Sequence, residues 1–173
     1  LADAINHLAP AAMARACAAI GCALLHYSTD YVFDGSAKSP YLESDETRPQ
    51  SVYGETKLAG EQAVMRENPG SLILRTAWVY AQQGSNFVNT MLRLADEREE
   101  LGVVADQFGS PTLASDLAQV SVSIIESIGS KPSMDIAGIY HATGGDMTSW
   151  YGFAREIFRL ANKSVRVNAI TTA

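Results

Sequence analysis

Long hydrophobic runs are missing from this 173-residue chain. No stretch of about eighteen apolar residues occurs, so no membrane-spanning helix is expected. Leu1-Ala2-Asp3 has no basic segment followed by an apolar one, so no signal peptide is read there. A basic stripe is also lacking. With a net charge of −6 and a pI near 5.0, the chain is a poor match for nucleic acid. An acidic protein can still hold an anionic nucleotide locally, through backbone amides or a single lysine. Cysteine is scarce, and Cys17 and Cys22 match neither a redox pair nor a zinc site. They read as two buried thiols in a reducing cytoplasm. His7, His26 and His141 form no ligand pattern, so no metal is expected and each is read as structural or surface.

What is present has the balance of a globular protein, 47% hydrophobic and 18% charged. A helical pattern runs from Ala2 to Ile20; Pro10 must start or kink it, and Gly21 is placed to end it in the left-handed conformation. Cys22 to Tyr27 reads as a short buried strand. Asp34 to Gln50 has no apolar period and reads as a long functional loop. A helix follows from Ser51 to Glu67, with two glycines, Gly54 and Gly60, that close packing would require; Asn68-Pro69-Gly70 stops it.

Leu72 to Trp78 is the second buried strand. Asn86 to Glu99 is an amphipathic helix whose charged end, Asp96 to Glu100, reads as a solvated terminus. Val103 to Ala105 is a strand, Leu117 to Ile128 a helix, Ile139 to Ala142 a strand, and Trp150 to Ala161 a last helix capped by Thr148 or Ser149. Alternation of strands and helices gives an α/β fold with a largely parallel sheet.

In an open parallel sheet, ligands gather at the carboxyl ends of the strands. The first strand ends in Ser28-Thr29-Asp30-Tyr31, three hydroxyls and a carboxylate in four positions. The next helix carries Tyr53 and Lys57, four apart and therefore on one face. A phenol with a pKa near 10 exchanges protons poorly at neutral pH, and a nearby ammonium favours its anion. Thr29 is placed to polarise a carbonyl by hydrogen bonding. The spacing alone is weak: seven tyrosines and four lysines give a chance match roughly one time in six. Its position after a hydroxyl-rich strand end and a long loop gives it weight.

His26 to Gly35 resembles the active-site strand of the dTDP-4-dehydrorhamnose reductases, a branch of the extended short-chain dehydrogenases. Pro49 to Gly60, with Val52-Tyr53-Gly54-Glu55-Thr56-Lys57, resembles their catalytic helix. Leu74 to Tyr80, Asn86-Phe87 and Asp106 to Thr112 continue the resemblance over nearly the whole chain.

The resemblance implies a partial Rossmann-type doubly wound parallel sheet with part of a smaller C-terminal substrate-binding region. Residues 1–81 would be the remainder of the NAD(P)-binding domain. Residues 82–173 would be mainly substrate-binding, with some elements returning to the sheet. It further implies reduction of a nucleotide-sugar C4 ketone in the cytoplasm with NADPH or NADH, and a homodimer is the assembly it admits. Tyr53 would give the proton, while Lys57 would lower the tyrosine pKa and hold the nicotinamide ribose. Thr29 would bond the reacting oxygen, and Asp30 and Trp78 would line the sugar site. Asn86 and Gln107 would contact the nucleotide or diphosphate. The plain alternatives are core packing for Trp78, and capping or loop structure for Asn86 and Gln107.

The family's Gly-rich strand-to-helix turn has no counterpart here, since Gly144-Gly145 lacks the spacing. The expectation is a fragment that binds cofactor poorly by itself and exposes a sheet edge. Two other functions compete. A 4,6-dehydratase or epimerase is opposed by Asp30-Tyr31, since dehydratases follow the threonine with an Asp-Glu pair. A non-catalytic regulatory subunit, like that of methionine adenosyltransferase, is opposed by the presence of Thr29, Tyr53 and Lys57 together.

Overall fold

The computed structural model describes residues 1–128 and 136–172. In chain order these form α1 (Ala9–Ala19), β1 (Leu25–Thr29), α2 (Val52–Glu67), β2 (Leu72–Thr76), β3 (Val79–Tyr80), α3 (Phe87–Glu97) and β4 (Glu100–Val104). There follow β5 (Phe108–Gly109), β6 (Thr112–Leu113), α4 (Ala114–Ile128), β7 (Gly138–His141), β8 (Thr148–Ser149), α5 (Trp150–Leu160) and β9 (Arg166–Ile170). The chain divides into two compact units: Leu1–Thr76 with Val120–Ala142, and Ala77–Gln119 with Thr143–Ala173.

The first unit is built on a parallel sheet of order β1-β2-β7. All five residues of the central β2 are buried, as expected of a strand covered on both faces. On one face, Ala14 of α1, Val64 of α2 and Ile73 of β2 form the apolar core with Leu24, Met65 and Ile139. The other face meets α4, where the Tyr27 hydroxyl and Ser121 Oγ lie 2.7 Å apart. This unit is therefore α/β with a parallel sheet, as the alternating pattern predicts.

Pro10 shapes the start of this unit. It has no amide hydrogen for the carbonyl of Asn6, and the turn before it, Ala4–Leu8, widens to a π-helix in which Ala9 N donates to Ala4 O. α2 crosses closely here: a β-carbon on Gly60 would lie 2.0 Å from Asn6 O. Asn6 Nδ2 also donates to Thr56 Oγ1 at 3.0 Å. The glycine that weakens α2 locally is required for this crossing.

Two expectations need correction. The first strand begins at Leu25, not Cys22, because Gly21 (φ 69°) closes α1 in a Schellman turn, with Gly21 N donating to Ala18 O and Cys22 N to Cys17 O. Cys22 is consequently exposed and Cys17 only partly buried, so the thiols are free but not core groups. The charged run after α3 is likewise no simple helix end. Glu100 opens β4, and Glu99 O accepts from Arg166 N as β4 pairs with β9.

The second unit packs α3 and α5 on the parallel β4-β9 pair. Its core is Met91, Leu101, Val103, Ala154, Ile157 and Phe158. Asn86 caps α3 and Ser149 caps α5, the latter accepting from Gly152 N at 3.0 Å. β3 pairs with β6 in parallel and β5 with β8 antiparallel. No helix among the described residues is long and apolar enough to cross a membrane.

Candidate active site

β1 delivers Ser28 and Thr29, both buried, to its carboxyl end, and the chain then turns through a 3-10 turn at Asp30–Val32. Thr29 caps that turn: its Oγ1 accepts from Tyr31 N at 3.2 Å and donates to Asp30 Oδ1 at 3.1 Å. Burial pushes the Asp30 carboxyl above its usual range, with the Thr29 bond opposing. Ser28 Oγ is buried with no partner among the described residues.

α2 starts at a Ser51 cap that accepts from Gly54 N at 3.1 Å. Gly54 lets the helix lie on the strand end, since a β-carbon there would stand 2.2 Å from Tyr31 O. This contact brings Tyr53 edge-on to Tyr31, ring centroids 5.9 Å apart at 75°. Tyr53 is about half exposed, and its hydroxyl has no hydrogen bond among the described residues.

One turn on, Lys57 Nζ donates to the Tyr27 carbonyl at 2.6 Å. The pairing expected from the spacing is thus realised as two groups on one helix face, with the ammonium bonded to the strand and not to the phenol. Burial lowers the Lys57 pKa, while Glu61 raises it. His26, on the same sheet face, is lowered to about 4, first by burial and then by the Lys57 charge, against Glu61.

Beneath this row lies an ion pair that the sequence reading missed. Arg75 of β2 meets the fully buried Glu61 through two hydrogen bonds of 3.0 and 2.7 Å. The same guanidinium sits 5.0 Å from the Phe33 ring centroid and donates to Glu43 O at 3.3 Å. Glu43 Oε1 accepts from His141 N at 2.9 Å. Phe33 stacks on Tyr41 at 4.3 Å, and Tyr41 donates to Asp34 at 2.7 Å. The Tyr41 bond first, and then two bonds from Ser36, hold the Asp34 carboxyl down to about 2. The loop from Asp34 to Gln50 is therefore anchored from within on the same strand that pins α2. One signal was legible: Arg75 is a lone charge inside the apolar run Leu72 to Trp78.

Thr29, Asp30, Tyr53 and Lys57 thus belong to the first unit, and Trp78, Asn86 and Gln107 to the second. Trp78 stacks face to face on Trp150, centroids 3.4 Å apart. Asn86 is committed to its own turn: Oδ1 accepts from Asn89 N at 3.1 Å and Nδ2 donates to Ala81 O at 2.8 Å. Gln107 Nε2 donates to Thr172 Oγ1 at 3.0 Å on an exposed edge. Among the described residues, no three His, Cys, Asp or Glu side chains gather to hold a metal ion.

The chain is similar to known proteins along its length. The family model described as the RmlD substrate binding domain matches residues 1–173. A dTDP-4-dehydrorhamnose reductase of Escherichia coli (strain K12) is 49% identical over 163 residues, covering 94% of this chain and 54% of that protein. Its counterpart from Sinorhizobium fredii is 46% identical over 176 residues, covering 99% of this chain and 60% of that protein. The chain thus spans a little over half the length of these relatives. A crystal structure of a dTDP-4-dehydrorhamnose reductase from Clostridium acetobutylicum superposes with a TM-score of 0.90 at 46% identity, covering 97% of this chain and 57% of that one. One from Bacillus anthracis, in complex with NADP, gives a TM-score of 0.90 at 40% identity with the same coverage. With its whole described length matched, this chain belongs to the RmlD substrate binding domain family.

Proposed function

We propose that the protein carrying this chain reduces the C4 ketone of dTDP-4-dehydro-L-rhamnose to dTDP-L-rhamnose with NADPH or NADH, in nucleotide-sugar and polysaccharide biosynthesis. The observation that supports this most is the row at the end of β1. Tyr53 presents an uncommitted hydroxyl, Lys57 lies one turn along the same helix, and Thr29 ends the neighbouring strand.

In this reading Tyr53 donates its proton to the sugar O4 as the ketone carbon is reduced. The phenolate left behind is stabilised by the Lys57 charge and reprotonated from solvent, to which Tyr53 is open. Thr29 has one hydroxyl proton, which it donates in a hydrogen bond to Asp30; it turns that proton to the reacting oxygen when substrate is present. Lys57 fits a ribose diol, since only one of its three donors is committed among the described residues. Tyr53 and Lys57 would hold that ribose, and the nicotinamide supplies hydride when bound.

Asp30 and Trp78 are assigned to the sugar and Gln107 to the nucleotide or diphosphate. Asn86, whose amide is committed to its own turn, enters by shaping that loop. Residues 1–81 are assigned to the cofactor-binding domain and residues 82–173 mainly to the substrate region. The free thiols of Cys17 and Cys22 fit a cytoplasmic location.

The test is an assay of the full-length protein with NADPH and dTDP-4-dehydro-L-rhamnose, following cofactor oxidation and the sugar product together. Stoichiometric formation of dTDP-L-rhamnose is expected. Elimination of water from a dTDP-hexose, with no ketone reduction, would sink the proposal.

A further inference from the structure

Tyr53, Lys57 and Glu61 follow one another at four-residue steps along α2, so a phenol, an ammonium and a carboxylate stand in one row. The row runs from solvent to core: Tyr53 is about half exposed, Lys57 partly buried, and Glu61 only 1% exposed. Glutamate is almost never buried so completely without a partner, and Arg75 supplies one through its two hydrogen bonds. A buried pair of this kind adds little net stability over apolar side chains of the same volume. Stability alone therefore does not account for a carboxylate at this point of the helix.

Arg75 holds that carboxylate still. The guanidinium bonds to both Glu61 oxygens, lies against the Phe33 ring and donates to Glu43 O. One turn back on α2, Lys57 Nζ is fixed at the Tyr27 carbonyl. Glu61 is the anion that both Lys57 and His26 feel, while Arg75 stands one strand further, on β2. The other neighbours of the ammonium leave Glu61 as its counter-charge. Tyr53 is on the same helix, and His26 of β1, held to about 4, is neutral at ordinary pH. After β1, Asp30 is bonded to Thr29 and Tyr31 lies against Tyr53. On α1 and the turn before it, Arg15 closes on Glu67 and His7 on Asp3.

We propose that Glu61, clamped by Arg75, is a positioning residue for Lys57: a fixed anion one helical turn away that keeps the ammonium charged at the end of β1. The inference rests on the catalytic role given to Tyr53 and Lys57 under the proposed function. Burial works against the Lys57 charge, and Glu61 opposes that effect. Taking the anion away favours proton loss from both Lys57 and Tyr53. The form that reduces the ketone, with both groups protonated, is then lost at lower pH. A merely structural pair would instead change the rate by the same factor at every pH.

The experiment uses the full-length protein and its Glu61→Gln variant, which removes the charge and keeps the size of the side chain. It records the pH profile of kcat for ketone reduction. It also follows the titration of Lys57 by NMR after isotope-labelled reductive methylation, the Lys57 signal being assigned by its loss in Lys57→Arg. The expected result is a Lys57 midpoint lower by about one pH unit. The alkaline limb should move down with it, an effect of about tenfold in rate beyond the limb. Should Glu61→Gln fail to fold, Arg75→Met/Glu61→Leu decides, since it leaves neither charge buried alone; a smaller shift in the same direction is expected. A folded variant with the parent's midpoint and limb, or with its rate lowered equally at every pH, overturns the inference. A parent that does not reduce the ketone, with the Lys57 midpoint still lowered in the variant, overturns the functional proposal and leaves the hold of Glu61 on Lys57 standing.

Discussion

Replacing Arg75 with methionine tests whether the buried pair under α2 is what holds the site's helix and loop together. Glu61 and Arg75 side chains are 1% and 4% exposed, so removing the guanidinium leaves a carboxylate in the core without its ion-pair partner. Breaking one side of such a pair costs roughly 3–5 kcal/mol. Loss of the bond to Glu43 O adds about 1 kcal/mol, and loss of the contact over Phe33 about 0.5–1 kcal/mol. Against the roughly 5–15 kcal/mol stability of a typical domain, Arg75→Met alone should leave the protein marginal at best.

The matched variant Arg75→Met/Glu61→Leu removes both charges and should recover to within about 2 kcal/mol of the parent, because desolvation offsets most of what a buried pair gains. Urea unfolding followed by circular dichroism gives the four corners of the cycle. Hydrogen exchange in the Asp34–Gln50 loop should rise in both variants, since both lose the anchor on Glu43. An Arg75→Met protein within about 1 kcal/mol of the parent, or a double variant as unstable as the sum of the singles, would refute the reasoning.

Two other outcomes follow from the same geometry. His26 takes up its proton near 6.5 when unfolded but only near 4 when folded, so stability falls as pH drops through that interval and levels off below it. The loss is bounded at about 3 kcal/mol and is smaller for a ring that is not fully buried; His26→Gln should flatten this acid limb in thermal melts, and an unchanged limb would contradict the assignment. Gly54→Ala forces a β-carbon against Tyr31 O and should lower stability by about 1–3 kcal/mol. Because the displaced helix carries Tyr53, turnover should fall with it; an unchanged Tm would show that the close approach is not required.

The layout of elements was legible because it depends on local signals. Gly21 ends α1, Ser51 opens α2, and Asn68-Pro69-Gly70 closes it, each by backbone chemistry that a sequence displays. Gly54 and Gly60 were readable as packing glycines, though what they pack against, Tyr31 O and Asn6 O, is set by tertiary crossing. β9 escaped because its Arg-Val-Asn-Ala-Ile lies largely exposed and forms by pairing with β4. The Glu61–Arg75 pair escaped for a related reason: its partners lie fourteen residues apart, on a helix and a strand. Tyr53, Lys57 and Thr29 were found through helical spacing and strand-end position. The hydrogen bonds of Lys57 and Thr29, to Tyr27 O and Asp30, emerge only in the folded unit.

The most direct test of the central claim is ketone reduction by the full-length protein and its Tyr53→Phe variant, with folding checked by circular dichroism. Loss of one exposed hydroxyl that bonds to nothing among the described residues should leave stability unchanged. The account predicts a drop in kcat of at least about a hundredfold, the typical contribution of a positioned acid. A folded Tyr53→Phe protein that reduces dTDP-4-dehydro-L-rhamnose at the parent rate would contradict it.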